Sequence, residues 1–272
     1  MAARPYLLMI LLLTISPFKN FGTGQVPDIL IFNGDTSSIS STPLEAFPTM
    51  DSLQKRLFGG KEGCFSTACW RRYQAEWTIL NNQLYLTNIF SCCFHENRIK
   101  ADLKTLFGEK CENGKVKASW VTENLITPKG KFLFYSPSDY YSVYEGQTVL
   151  VFEKGALIET KNYDNSKSRQ SEYSKDNKKL LEHIYTQIAW NQLPKQDRTI
   201  NVFIQFSANE QGVVDSVKVI KGHDVLFDSE AISAVRTIPE WDVVYKLGQH
   251  QRRTWNLPIV FSEENRQKYK KN

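Results

Sequence analysis

The sequence predicts an α+β protein: a C-terminal three-stranded antiparallel sheet packed by two helices, preceded by a β-rich domain. Three observations predict it. Runs with an apolar residue at every second position dominate the first half, the period becomes helical near residue 180, and the order from there is helix, strand, strand, helix, strand. At 272 residues, 41% of them hydrophobic and 23% charged, the chain is long enough for two globular domains with a core each.

The first residues, MAARPYLLMILLLTISPFKNFGTGQ, place Arg4 before an apolar run over 6–15, then Pro17 and the small residues Gly22, Thr23 and Gly24. That is the layout of a secretory signal peptide, residues 1–24, with cleavage expected after Gly24. A membrane-spanning helix needs about 20 apolar residues, and this run stops short of that before Pro17 and Lys19. Export is the expectation, and an uncleaved anchor is the alternative. Residues 25–60 are rich in Ser, Thr and Pro over 25–48, without sustained periodicity, and read as an extended leader.

Within "WRRYQAEWTILNNQLYLTNIF", Tyr73, Ala75, Trp77 and Ile79 alternate, Asn81 and Asn82 tolerate positive φ, and Leu84, Leu86 and Asn88 resume a period of two. This predicts a hairpin. "IKADLKTLFG" sets Ile99, Leu103, Leu106 and Phe107 at helical spacing and stops on Gly108. Strand-like runs follow in "GKVKASWVTENLIT" and "KFLFYS", and Glu153-Lys154-Gly155 turns a second hairpin. Residues 61–163 are thus a β-rich domain, and the Asn-, Ser- and Lys-dense stretch 164–179 reads as a linker.

All five cysteines, Cys64, Cys69, Cys92, Cys93 and Cys111, fall in that first domain. In an exported protein disulfides outrank metal sites. Cys64 and Cys69 are close enough to pair across a turn, and Cys111 is available to one of the adjacent Cys92 and Cys93. Connectivity stays open at this level, and the odd count leaves one thiol over. Cys92-Cys93-Phe-His95 gathers three metal-ligand types in four residues, but no second ligand pair follows at zinc-finger spacing. No metal and no cofactor are expected. The same cluster is the basis for an alternative, a cysteine-dependent enzyme in the N-terminal domain. Neither it nor His183, His223 and His250 lies in a nucleophile elbow, a P-loop, a zincin helix or a dinucleotide fingerprint, so the expectation is no enzyme.

In the second half, Leu180, Leu181, Ile184, Tyr185, Ile188 and Ala189 recur at helical spacing, ending by Pro194. Ile200, Val202, Ile204 and Phe206 alternate, Gly212 closes a turn, and strand character resumes over 213–220. Asp228 reads as the N-cap of a second helix that turns Ala231, Ile232 and Val235 inward. Trp241, after Pro239, fills the gap between helix and sheet. The last strand is 254–261, where Trp255 shares a phase with Leu257, Ile259 and Phe261, while Asn256, Pro258 and Val260 face outward. Residues 263–272 read as a solvated basic tail. The net charge of +5 is spread along the chain, and no nucleic-acid partner is expected.

Three ordered pieces, "INVFIQFSANEQGVVDSVKVIKG" with its turn at Gly212, "FDSEAISAVRTIPEW", and Gly248 ahead of "LPIVF", carry a resemblance. Over residues 180–262 the chain resembles the C-terminal domain of TonB-type periplasmic proteins. The resemblance implies a periplasmic domain of Gram-negative bacteria that grips a peptide near the N-terminus of an outer-membrane, TonB-dependent transporter or a related periplasmic protein. The peptide adds as a strand to the exposed edge, where unpaired main-chain groups supply affinity. Carried over, the partner-binding residues are Arg252 and Arg253 at the entrance of the edge and Thr254, Asn256, Pro258 and Val260 along it, and a homodimer through the same edge is a further expectation. Pro258 suits an edge, because its missing N–H is tolerated where it would have faced outward. An energy transducer of this kind keeps an N-terminal membrane helix coupled to an inner-membrane motor, then a long Pro-rich spacer. Here a short signal-like segment, ten prolines in all and a folded Cys-containing domain stand instead. A periplasmic binding role is therefore expected, with an inner-membrane-anchored transducer as the alternative. The preceding domain, in "CFSTACWRRYQAEW" and "ADLKTLFGEKCENGKVKASW", resembles N-terminal domains of other exported proteins and implies no function.

Overall fold

A computed structural model describes residues 25–59, 66–93, 98–136 and 141–270. The expected signal segment, Cys64 and His95 lie outside the described residues. Residues 25–59 are not an extended leader. They fold as β1 (Asp28–Phe32), β2 (Asp35–Ile39), a short 3-10 turn over Pro43–Ala46 and α1 (Met50–Gln54). Asn33 and Gly34, both at positive φ (53° and 85°), close the β1–β2 hairpin. Leu30, Ile39, Leu44 and Leu53 are buried. The polar composition hid this because β2 is an outer strand whose five residues bury only Ile39.

β1 lies parallel to β3 (Tyr73–Leu80), which pairs with β4 (Gln83–Ser91) across the expected turn, with Asn81 and Asn82 at φ 49° and 59°. One expectation fails inside the hairpin. The register shifts after Glu76, which faces Asn88, while Trp77 faces Leu86. The extra residue, Thr87, donates through its hydroxyl to Glu76 O (3.1 Å), and the shifted phase buries Ile89 in place of Asn88. α2 (Leu103–Phe107) is capped by the Asp102 side chain and stopped at Gly108 with φ 57°. β5 (Cys111–Glu112), β6 (Lys115–Lys117), β7 (Asn124–Ser136), β8 (Tyr141–Glu153) and β9 (Ala156–Asp164) complete the sheet. Its order is β2-β1-β3-β4-β9-β8-β7, with β5–β6 attached to β4.

Asp28, fully buried, ties β1 to β3. Its carboxylate accepts from the Arg71 guanidinium (2.9 Å), Ala75 N (3.1 Å) and the Trp77 indole (3.0 Å). Burial pushes the Asp28 carboxyl up, and the Arg71 charge works against that shift. Arg71 also donates to Val26 O (2.8 Å) and lies over the Tyr73 ring. Close by, a disulfide joins Cys69 to Cys92. The antiparallel register of β3 with β4 brings the residues just before β3 beside those just after β4, so Cys69 meets Cys92 and not Cys64. Cys93 is disulfide-bonded as well. Cys111 pairs with neither Cys92 nor Cys93: it is a free thiol buried where β5 pairs with β6.

The stretch 164–179 is folded too, because its polar side chains bond main-chain groups that a free linker would leave to water. α3 (Glu172–Lys175) and α4 (Asn177–Gln187) start on Ser171 and Asp176 as caps. Asn165 Oδ1 accepts from Gly248 N, and Ser168 Oγ from Tyr245 N, both at 2.9 Å. Ser171 donates to Glu240 O (2.7 Å). From β8, Gln147 accepts from Leu247 N (2.9 Å). The loop these residues hold contains β12 (Tyr245–Lys246) and β13 (Gln249–His250), turned at Leu247 and Gly248. Val244 packs on Phe134 and Val143 of the β7–β8 hairpin.

Before that loop come β10 (Ile200–Ala208), β11 (Val214–Lys221) and α5 (Val225–Arg236), and after it β14 (Thr254–Phe261) and α6 (Glu263–Tyr269). The sheet order is β11-β10-β14, all antiparallel. Leu180 and Ile184 of α4 and Phe227, Ala231 and Val235 of α5 share one core with Val202, Ile204, Leu257, Ile259 and Phe261. Asp224 caps α5, accepting from Leu226 N and Phe227 N. The expected cap, Asp228, instead accepts from His223 N (2.9 Å) and closes the approach to the helix.

Replacing Arg71 by Ala strips the buried Asp28 of its counter-charge. The expected cost is about 3–5 kcal/mol, read by denaturant unfolding, with the loss centred on the first domain.

Candidate functional site

β14 is an outer strand of the three-stranded sheet, and its pairing with β10 runs without a shift from Ile200↔Phe261 to Ser207↔Thr254. Main-chain groups alternate sides along a strand, so a single residue fixes the direction of the rest. Val260 does so. Its N–H donates to Tyr185 Oη of α4 (3.3 Å), and its C=O accepts from Asn265 Nδ2 of α6 (2.9 Å), so both point away from β10. By alternation Trp255, Leu257, Ile259 and Phe261 bond β10, while Thr254, Asn256 and Pro258 turn their main chain to the free side. Pro258 therefore sits where its ring costs the sheet no ladder bond.

Side chains follow the same alternation. Leu257, Ile259 and Phe261 are buried under the helices, and Trp255, half-buried, stacks edge-on against the buried Trp241 at 5.6 Å. Thr254, Asn256 and Pro258 are exposed and Val260 is half-buried. On this open face Asn256 Oδ1 accepts from Gln205 Nε2 of β10 (3.1 Å).

Arg252 is not at the mouth of the edge as expected. Arg252 reaches back across the sheet: its Nε donates to Ser207 Oγ of β10 (3.1 Å), and its guanidinium is ion-paired with Asp215 of β11. Arg253 places its charge near Asp242, whose carboxyl burial raises and Arg253 partly lowers. The same carboxylate accepts from Ser171 N (2.7 Å) and Ser174 Oγ (2.5 Å). Arg252 thus fixes the entry of β14 to the sheet, and the outward positions along the strand are Thr254, Asn256, Pro258 and Val260.

Three residues of the site, Tyr185, Asn265 and Arg266, were missed at the sequence level. Tyr185 read as one more apolar position of a helix, and the other two as part of a solvated tail. Residues 263–269 instead form α6, and Arg266 is buried. Its guanidinium donates to the carbonyls of Trp190 and Leu193 (2.8 Å), both buried, and to that of Pro194, which also accepts from Gln196 Nε2. Ser262 caps the helix by accepting from Asn265 N (3.2 Å).

Arg266→Ala leaves the buried carbonyls of Trp190 and Leu193 unpaired and is expected to cost about 3 kcal/mol. Arg252→Ala removes a half-exposed ion pair and is expected to cost about 1 kcal/mol or less. Paired thermal and denaturant melts of the two variants check the contrast.

The cysteine cluster assembles no reactive thiol pair, since Cys92 and Cys93 are both in disulfides. Among the described residues no helix is long and apolar enough to cross a membrane. No curated protein and no solved structure matches the chain. One family model does, over residues 191–262, from just after α4 to one residue past β14. The matched stretch, which holds the sheet β11-β10-β14 and α5, is similar to the family described as Gram-negative bacterial TonB protein C-terminal.

Proposed function

We propose that this chain is an exported envelope protein that takes an extended peptide, from an outer-membrane transporter or a related periplasmic protein, as an added strand on β14. The observation that carries the reading is the outward-facing N–H and C=O groups of Thr254 and Asn256 on an outer strand of a TonB C-terminal-type domain. Free main-chain groups on an edge are what strand addition uses, and neighbouring side chains then select the sequence. A binding role also agrees with the chemistry of the first domain, where Cys69, Cys92 and Cys93 are oxidised and Cys111 is buried.

A role in peptide capture is favoured over force transmission across the envelope. The main chain is tied down from its first described residues, with Val26 N donating to Ala68 O (2.7 Å) and Gln25 Nε2 to Thr67 O (2.9 Å). From there to α6 the described segments belong to folded structure, whereas transmission needs a long extended spacer.

The edge is testable by main-chain chemistry alone. Asn256→Pro removes the outward N–H without touching the β10 ladder, so the fold should persist, as it does around Pro258. Binding of peptides from the periplasmic N-terminal segments of outer-membrane transporters should fall about tenfold, and Pro258→Ala, which restores a donor, should raise it severalfold. Calorimetry or fluorescence titration reads both. Unchanged affinity in both variants would place the peptide elsewhere.

A further inference from the structure

The free edge of β14 is closed at one end from within the chain. A strand residue paired opposite Val260 would accept from its N–H and donate to its C=O. Tyr185 Oη and Asn265 Nδ2 make those two bonds instead, at 3.3 Å and 2.9 Å. α6 is held over this point by the Arg266 guanidinium on Trp190, Leu193 and Pro194 and by Tyr269, whose ring lies 5.4 Å from that of Tyr185.

We infer that Tyr185 and α6 are a strand stop, which limits the partner of this edge to a short extended segment pairing with residues 254–258. Two features of the edge itself set the same limit. Pro258 offers a carbonyl and no N–H, so the outward groups are the N–H and C=O of Thr254 and Asn256 and the C=O of Pro258. A segment added there makes its main-chain bonds on Thr254 and Asn256. It gives one last N–H to Pro258 O, and at Val260 its next residue meets the Asn265 and Tyr185 side chains. It ends there or leaves the sheet. A strand running the full length of β14 does not fit, and this includes the β14 of a second copy paired along its whole edge.

The identity of the partner rests on the strand-addition reading above, whereas the stop is a property of the chain alone. The test separates them. In the full-length protein, Tyr185→Phe with Asn265→Ala removes both stop contacts while keeping the ring in the core and a helix-forming residue in α6. Amide exchange followed by NMR should show Val260 exchanging about tenfold faster, with Ile259 and Phe261, which bond β10, unchanged. A Val260 rate that does not move overturns the stop. So does an equal rise at all three amides, which means that the strand has merely frayed.

The length limit is read with capped Thr-Val repeat peptides of about five and about nine residues, the usual span of strands. On the native protein both should protect the Asn256 amide and neither the Val260 amide. On the double variant the longer peptide should protect Val260 as well and bind about tenfold tighter than the shorter one. Protection of Val260 by the longer peptide on the native protein overturns the limit. If neither peptide protects Asn256 in either protein, strand addition fails as a reading, and the exchange rates alone decide the stop.

Discussion

The antiparallel ladder between β10 and β14 decides what every residue of the closing strand faces. Because the register is unbroken, Trp255, Leu257, Ile259 and Phe261 send their main chain to β10 and their side chains under the helices. The intervening residues send both to the outside. A slip of one residue would expose Ile259 and Phe261 and bring Pro258 into the ladder, where it has no N–H to give. Apolar burial and the proline therefore enforce the same register, one by reward and the other by exclusion.

The second constraint is the loop between α5 and β14. In an isolated sheet this connection would be free to move, and the start of β14 with it. Here Arg169 and Val243 exchange main-chain bonds (2.8 and 2.9 Å), Gln147 and Asn165 hold the turn at Leu247 and Gly248, and Gln251 N donates to Val244 O (2.7 Å). The first domain thus braces the entrance of the edge strand, and α6 braces its exit.

Much of this was legible in the residues, and the unevenness has physical causes. Hairpins at Asn81-Asn82 and Lys154-Gly155 are local, and their residue types announce a positive φ. The outward phase of Pro258 follows from periodicity alone. By contrast, β2 buries a single side chain, so its apolar signal is too thin to read. The cap of α5 was misplaced because Asp224 and Asp228 are chemically alike, and the path of the chain out of β11 chooses between them. The disulfide depended on the register of β3 with β4. α6 was hidden by Arg266, a residue type that ordinarily signals solvent and here serves the buried carbonyls of Trp190 and Leu193. The site suffered most from this, since its stop is assembled from residues 75 and five positions away from Val260.

The placement of the cysteines has a consequence for how the two halves mature. All five lie between residues 64 and 111, and none follows. The Cys69–Cys92 bridge stands at the base of the β3–β4 hairpin, beside the Arg71 and Asp28 pair that anchors β1. The first domain is therefore finished only once electrons have been taken from its thiols. The sheet that carries β14 has nothing to oxidise and reaches its fold on the same terms in a reducing or an oxidising compartment. One polypeptide thus joins a module indifferent to its surroundings to one whose completion records where the chain has arrived.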